Sequence, residues 1–389
     1  MPNKLIKFNN KVRYILIVIV VLIIIGIYKY IYISQIVAKT QNIEDTAENF
    51  TNYQKCSHLG LHKNIKTVFE ENDIERSKKT NTDWDVYLPC GYNYVEGELN
   101  NIKITNSKQK VFAIKGCDNI ASKNNLWKIL RDYYGRRDAS NIMPESYIIS
   151  DKNDMKIFEK NYEPSKLYLL KKNVQRKEGI MLAKDIHKIM KIKNDYKVIQ
   201  EYINDLYLIQ NRKINLRIYL LLICKNGITT GYLYNEGKCI YTNQDYKEYD
   251  GNLNANKLRE QHLTSVNLDT NIYNTHPESF KDLRYNIGYF NYNILWNNIN
   301  KLFKKLLKAI QGNVCQSNNL SKILTFQLFG ADIIFTSKFH PYLLELNKGP
   351  SMKYMTDTDQ KMKEKLTRDL FTLVGIANNG NSRNFIKIN

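Results

Sequence analysis

The segment from Phe326 to Pro350, FQLFGADIIFTSKFHPYLLELNKGP, constrains the fold of this 389-residue chain more than any other. It holds two short apolar runs, residues 326–335 and 341–346, rich in Ile, Leu and Phe and separated by a more polar stretch, residues 336–340. That pattern predicts a β-hairpin. In such a hairpin Asp332 lies in the first strand, while Glu345 and Asn347 are spaced by two and share one face of the second. Oxygen donors on two adjacent strands suit a magnesium ion bound together with nucleotide phosphates. The same residues also suit carboxylates that are solvated or paired with lysines, which this chain has in plenty. Other motifs have to separate the two readings.

Lys and Arg outnumber Asp and Glu by 20. Six of those surplus charges, Lys4, Lys7, Lys11, Arg13, Lys29 and Lys39, fall within the first 40 residues, which contain no acid, leaving +14 for the remainder. A surplus of that size favours an anionic partner such as a nucleotide, an acidic polypeptide, nucleic acid or an anionic membrane. No zinc-finger spacing occurs and the basic residues do not gather into one stripe, so nucleic acid is not the expected partner. The six cysteines show no C-x-x-C spacing, which argues against structural zinc. Their even number permits disulfides and is equally ordinary in a reducing compartment.

Residues 14–28, YILIVIVVLIIIGIY, carry no charge, and the apolar character continues past Lys29 to Ala38. A helix over residues 14–38 would cover a hydrocarbon layer of about 30 Å with Lys29 snorkelling. The run is long for a signal peptide and no A-x-A-like cleavage site follows it, so it reads as an uncleaved single-pass membrane anchor. Lys4, Lys7, Lys11 and Arg13 precede the run and Glu44, Asp45 and Glu48 follow it, which by the positive-inside rule sends the body across the membrane. A body that binds nucleotide phosphates would favour the opposite side, and the topology stays open.

Beyond the anchor, residues 39–80 are polar and rich in Lys and Glu, the composition of a stalk or linker. From Trp84 onward apolar runs of strand length alternate with helical stretches such as NNLWKILRDYY, giving an α+β or α/β body. Between residues 294 and 310, Leu295, Ile299, Leu302, Phe303, Leu306, Leu307 and Ile310 fall on one helical face. Lys301, Lys304, Lys305 and Lys308 fall on the rest, a basic face that could touch an acidic substrate but reads first as the solvated side of a core-packed helix.

Residues 167–182, LYLLKKNVQRKEGIML, read as a strand ending in Lys171, a basic loop with Arg176 and Lys177, then Gly179 and another apolar run. A lysine at a strand end beside a flexible loop suits phosphate contacts, although a Lys-rich hairpin tip has the same composition. Downstream, KVIQEYINDLYLIQNRKINLRIYLLL reads as two strands flanking a polar connection; if the first carries an adenine-contacting hinge at Gln200 to Ile203, then Lys213 and Arg217, four apart on the next segment, could face phosphates.

The order of these pieces resembles the tubulin-tyrosine ligase-like family over about residues 110–355. ASKNNLWKIL is similar to the family's R-K-D-x-L helix start, MPESYIIS to P-E-T-Y-I-L, and LYLLKKNVQRKEGI to W-I-x-K-P followed by R-G-x-G-I. VIQEYI and NRKINLRIYLLL look like V-x-Q-x-Y-I and G-R-K-x-D-L-R-x-Y, and YLYNEGKCIYT looks like Y-L-Y-x-E-G-x-x-R-F-x-T. QHLTSVNLD resembles H-L-T-N-x-x-x-N, and the opening segment resembles F-E-L-x-G-x-D followed by W-L-L-E-V-N-x-x-P-S.

The resemblance implies an α+β ATP-grasp fold with three lobes, N-terminal (81–155), central (156–220) and C-terminal (221–389), behind a basic tail (1–13), the anchor (14–38) and the linker (39–80). It implies ATP and magnesium, two ions, as cofactors. Lys123, Lys213 and Arg217 would act in catalysis. Lys171, Arg176, Gln200, Tyr202, Ile203, Lys213, Asn215 and Thr264 would bind the nucleotide, and Asp332, Glu345 and Asn347 the metal. The implied reaction joins a free amino acid to a carboxylate of an acidic protein, such as a tubulin tail, through an acyl-phosphate. Departures are specific: Lys177 replaces a Gly, Asn215 an Asp, Ser265 an Asn, and Thr230 and Ile240 stand where Arg is usual. They keep open an altered or inactive nucleotide-binding protein that serves as an interaction module.

Overall fold

Two fourteen-residue strands, Arg212–Lys225 and Ile228–Tyr241, dominate the structure. It is a computed structural model that describes residues 50–56, 60–77, 84–91, 95–173, 179–249, 255–317 and 319–388. The two strands pair antiparallel, with Lys225 opposite Ile228, and the turn between them is Asn226-Gly227 with φ of 52° and 74°. Positive φ at both positions is what a two-residue turn needs to follow the twist of the strands, and Asn-Gly adopts it at least cost. The hairpin expected at the C-terminal end forms as well: Leu324–Phe335 pairs antiparallel with Pro341–Asn347 and also with Arg212–Lys225.

These strands form the centre of a ten-stranded sheet. Its two faces differ because successive side chains alternate. Leu216, Ile218, Leu220 and Leu222 pack with the helices Lys123–Tyr134, Phe280–Ile287 and Tyr289–Ile310. Tyr219 and Leu221 pack instead with Lys63–Glu70 and Asp357–Leu373. Arg217 and Asn215 share the second face by the same alternation. In the long helix Tyr289–Ile310 the residues Leu295, Ile299, Leu302, Phe303, Leu306, Leu307 and Ile310 are buried, and Lys301, Lys304, Lys305 and Lys308 are exposed. Each fully buried Leu or Phe of that seam contributes about 1.5–3 kcal/mol relative to exposure.

A smaller antiparallel sheet of four strands has the order Ser146–Ile148, Val198–Glu201, Tyr168–Lys171, Ile180–Ala183. The helices Lys152–Asn161 and Ile186–Ile192 cover it around Tyr147, Phe158, Tyr168 and Ile189. Leu169, Leu182 and Tyr202 from this side meet Ile334 of the larger sheet in a shared apolar cluster. The two sheets therefore face one another across a gap closed by apolar contacts at one end.

Close approach fixes one position. A Cβ on Gly237 would meet the Arg217 carbonyl and lie 2.5 Å from the Phe280 ring, so only glycine lets the Phe280–Ile287 helix seat against the strand. Cys56 pairs with Cys90 and Cys224 with Cys315, and Cys117 and Cys239 are buried free thiols.

Two expectations need correction. The linker expected over residues 39–80 is not an irregular connector where it is described: Asn52–Gln54 and Glu75–Arg76 are strands of the larger sheet, and Lys63–Glu70 is a helix. Phe50, Val68, Phe69 and Ile74 are its buried anchors, too few and too short in period to stand out from the Lys and Glu around them. The single-pass membrane location is also overturned. Among the described residues no helix is long and apolar enough to cross a membrane. The longest, Tyr289–Ile310, breaks its apolar character with a lysine face, and residues 14–38 lie outside the described residues.

Candidate active site

A cavity of about 510 Å³ lies between the two sheets. One side is apolar, with Leu169, Ile180, Ile203, Ile334 and Leu344; the other gathers charge from both sheets. Lys123, Lys171, Gln200, Tyr202, Ile203, Lys213, Asn215, Arg217, Thr264, Asp332, Glu345 and Asn347 all line it, so every candidate site residue except one meets here. The exception, Arg176, lies outside the described residues, as does Lys177.

Strand register explains the convergence. Arg217 is directly opposite Asp332, Asp332 is opposite Glu345, and Gly330 is opposite Asn347, with a register shift just after Asp332. Arg217 forms a two-pronged pair with Asp332, Nε to Oδ1 at 2.6 Å and Nη2 to Oδ2 at 3.2 Å. Gly330 makes room for it: a Cβ there would lie 2.9 Å from Pro350 and 3.1 Å from the Arg217 side chain. Lys123, the first residue of its helix, reaches Glu345 at 3.1 Å, and Asn347 donates to the other Glu345 oxygen at 3.1 Å.

From the smaller sheet, Lys171 donates to the Gln200 carbonyl oxygen at 2.6 Å, and Gln200 in turn donates to Ser146 at 2.8 Å. The Gln200 amide is thus occupied in orienting Lys171. Lys213 donates to the His262 carbonyl at 3.0 Å and lies 3.2 Å from the Tyr202 hydroxyl, with its ammonium 4.5 Å from the Tyr202 ring centre. His262 faces the same hydroxyl at 3.0 Å. Asn215 donates to Thr264 at 3.0 Å, and its buried carbonyl oxygen has no hydrogen-bond partner among the described residues.

Burial and neighbouring charge set the protonation states. Burial lowers the Lys171 ammonium to about 8, with Lys123 adding to the fall and Glu345 opposing it. For Glu345 burial acts upward, but Lys123 and Lys171 outweigh it and hold the carboxyl well below its ordinary value. Arg217 is likewise opposed by burial and raised on balance by Asp332. Burial, then Lys213, lowers His262 to about 4, so its imidazole is neutral near pH 7.

The two sequence readings of the hairpin carboxylates therefore meet. Both are paired to cations, Asp332 to Arg217 and Glu345 to Lys123, and both face the cavity. Among the described residues no group of three or more His, Cys, Asp or Glu is placed to hold a metal by itself. Two carboxylates and an amide oxygen fit a hard cation that brings further oxygen ligands with it, and do not make a closed protein cage.

Sequence reasoning did not single out His262, Lys348 or Lys353. His262 sits inside the QHLT stretch, where its position was the available signal. Lys348 is buried, pairs with Asp118, and receives a 2.5 Å bond from Gln327 at its carbonyl; Lys353 lines the cavity from the chain that follows the hairpin.

Comparison with known proteins adds an independent line. A family model described as the tubulin-tyrosine ligase family matches residues 102–383. A probable beta-tubulin polyglutamylase of Tetrahymena thermophila is 26% identical over 295 residues, covering 68% of this chain and 24% of that protein. The mouse tubulin monoglutamylase TTLL4 is 26% identical over 338 residues, 80% of this chain and 27% of its own length. The human probable tubulin polyglutamylase TTLL2 is 28% identical over 229 residues, 53% and 35% respectively. The chain thus spans about a quarter to a third of the length of these curated relatives.

Proposed function

We propose, from the premise that this chain belongs to the tubulin-tyrosine ligase family, that it is an ATP-grasp ligase joining an amino acid to a carboxylate of an acidic polypeptide such as a tubulin tail. The observation that carries this reading is the convergence of Lys123, Lys171, Lys213 and Arg217 with Asp332, Glu345 and Asn347 on one cavity whose opposite wall is apolar.

In this reading Leu169, Ile180 and Ile203 receive the adenine, and Lys171 and Lys213 hold the phosphates. Asp332, Glu345 and Asn347 would hold magnesium, which when bound neutralises phosphate charge. An acceptor carboxylate oxygen attacks the γ-phosphorus and ADP leaves with the bond it had to that phosphorus. The amine of the incoming amino acid then attacks the acyl carbon, phosphate departs, and the amine proton passes to solvent. Arg217 and Lys123 stabilise the negative charge that spreads over the transferring oxygens. No protein nucleophile is required. The direct test is incubation with ATP, magnesium, tubulin and labelled Glu, Gly or Tyr, read by mass spectrometry, with a mass increase of one or more amino-acid residues expected on tubulin. Tight ATP binding with no product on any acceptor supports the second reading, a nucleotide-binding module. The uncharged Asn215 and Ile240, opposite each other in register, favour that reading.

Lys171 gives this reading a pH signature. Below about 8 the lysine already carries its proton and meets the phosphates as a cation; above that value binding has to take up a proton first. ATP affinity is therefore expected to be flat up to about pH 8 and then to fall by up to about tenfold per unit. Calorimetry between neutral and alkaline pH checks this, with proton uptake on binding above pH 8. In Lys171→Met the bend near pH 8 should vanish; a bend that persists would assign it to another group.

A further inference from the structure

The chain leaving the hairpin, Gly349 to Met355, runs along the cavity rim: Gly349, Pro350, Ser351 and Lys353 line the cavity, Pro350 is buried, Met352 packs on the apolar cluster beneath, and Ser351, Lys353, Tyr354 and Met355 are exposed. Gln327 donates to the Lys348 carbonyl at 2.5 Å and the buried Lys363 ammonium to the Lys353 carbonyl at 2.5 Å. Thr356 donates to Glu278 at 2.5 Å. Beneath the rim lies a buried charge chain: Asp359 accepts from Lys363 at 3.0 Å and from Lys238 at 2.8 Å, and Lys238 also pairs with Glu278 at 3.2 Å. Lys238 is directly across the sheet from Arg217, so the pins that hold the rim start one strand away from the charged end of the cavity.

Between these pins Lys353 is exposed and lines the cavity, and beside it Tyr354 and Met355 are 36% and 64% exposed. Among the described residues no carboxylate pairs with its ammonium. A cation on a rigid backbone at an open mouth costs little to organise and stands ready for an anion arriving from solvent. The open position fits a polymer that stays largely outside the cavity; a free amino acid has to be enclosed further in. We infer that Lys353 binds a carboxylate of the acceptor polypeptide and so helps choose which acidic segment enters the site. This rests on the ligase reading above for the identity of the acceptor.

The test measures two things on the full chain with ATP and magnesium: binding of a fluorescent glutamate-rich peptide, and KM for acceptor and amino acid separately. Lys353→Gln is expected to weaken peptide binding and raise the acceptor KM by roughly two- to fivefold, as befits one exposed charge contact, with Lys353→Glu larger and Lys353→Arg close to wild type. ATP affinity and the amino-acid KM should stay as in wild type. Peptide affinity indifferent to both Gln and Glu overturns the inference, as does a rise in the amino-acid KM alone, which would put the amino acid's own carboxylate on Lys353. If wild type makes no product yet binds the peptide through Lys353, the ligase reading fails and Lys353 stands as a contact for an acidic polypeptide that is bound and not modified. If wild type does not bind the peptide, the inference fails whatever the assay shows.

Discussion

Glu345→Gln is expected to lower product formation by about 10²- to 10³-fold while leaving the protein folded, the cost of removing one preorganised electrostatic group from a reacting centre. Gln keeps the volume and one oxygen, so the cross-strand contact opposite Asp332 survives. What disappears is the negative charge that Lys123 contacts at 3.1 Å and that opposes the burial-driven fall of Lys171. The Lys171 ammonium should then drop below about 8, and the onset of weaker ATP binding should move to lower pH with it. Product by mass spectrometry, circular dichroism and a pH series of ATP titrations read the three consequences. Turnover close to wild type in a folded Gln variant would sink the role given to the hairpin carboxylates.

Arg217→Met is expected to cost stability as well as activity. It leaves Asp332, only 8% exposed, without the two-pronged partner that holds it. Breaking one side of a buried pair costs about 3–5 kcal/mol, and about 3 is the better figure here because the Arg217 side chain retains 20% exposure. Arg217→Lys should recover part of the stability, since an ammonium cannot span both carboxylate oxygens. The double variant Arg217→Met with Asp332→Asn should restore most of the stability and none of the activity. Denaturant unfolding beside the ligation assay separates the two effects; a double variant as unstable as the single one would mean that packing, not charge, sets the cost.

The hairpin was legible in sequence because two apolar runs flank a polar turn, and period-two alternation then fixes which face Glu345 and Asn347 share. The strand carrying Lys213 and Arg217 was legible for the same reason. The partners of these residues were not: Lys123 and Glu345 are 222 positions apart in the chain, and nothing local in either segment points to the other. Gln200 is assigned to the adenine hinge through the family resemblance, and nothing local in its strand shows that in the protein alone its side-chain amide is engaged by Lys171 and Ser146. The strands Asn52–Gln54 and Glu75–Arg76 are too short to show any alternation, so composition spoke for a linker and tertiary pairing decided otherwise. The apolar run at residues 14–38 lies outside the described residues, among which no helix is long and apolar enough to cross a membrane.

Each hairpin carboxylate already has a cation in the protein alone, and that has a consequence for how ligands arrive. A bare divalent ion has to pull Asp332 and Glu345 from Arg217 and Lys123, and a bare polyphosphate has to pull the same cations from the carboxylates. Either exchange alone strands half of the array. Together they cancel, because the displaced partners are the ones the other ligand seeks. Under the proposed reading the site is a double exchange, in which each ligand raises the affinity for the other by the same factor.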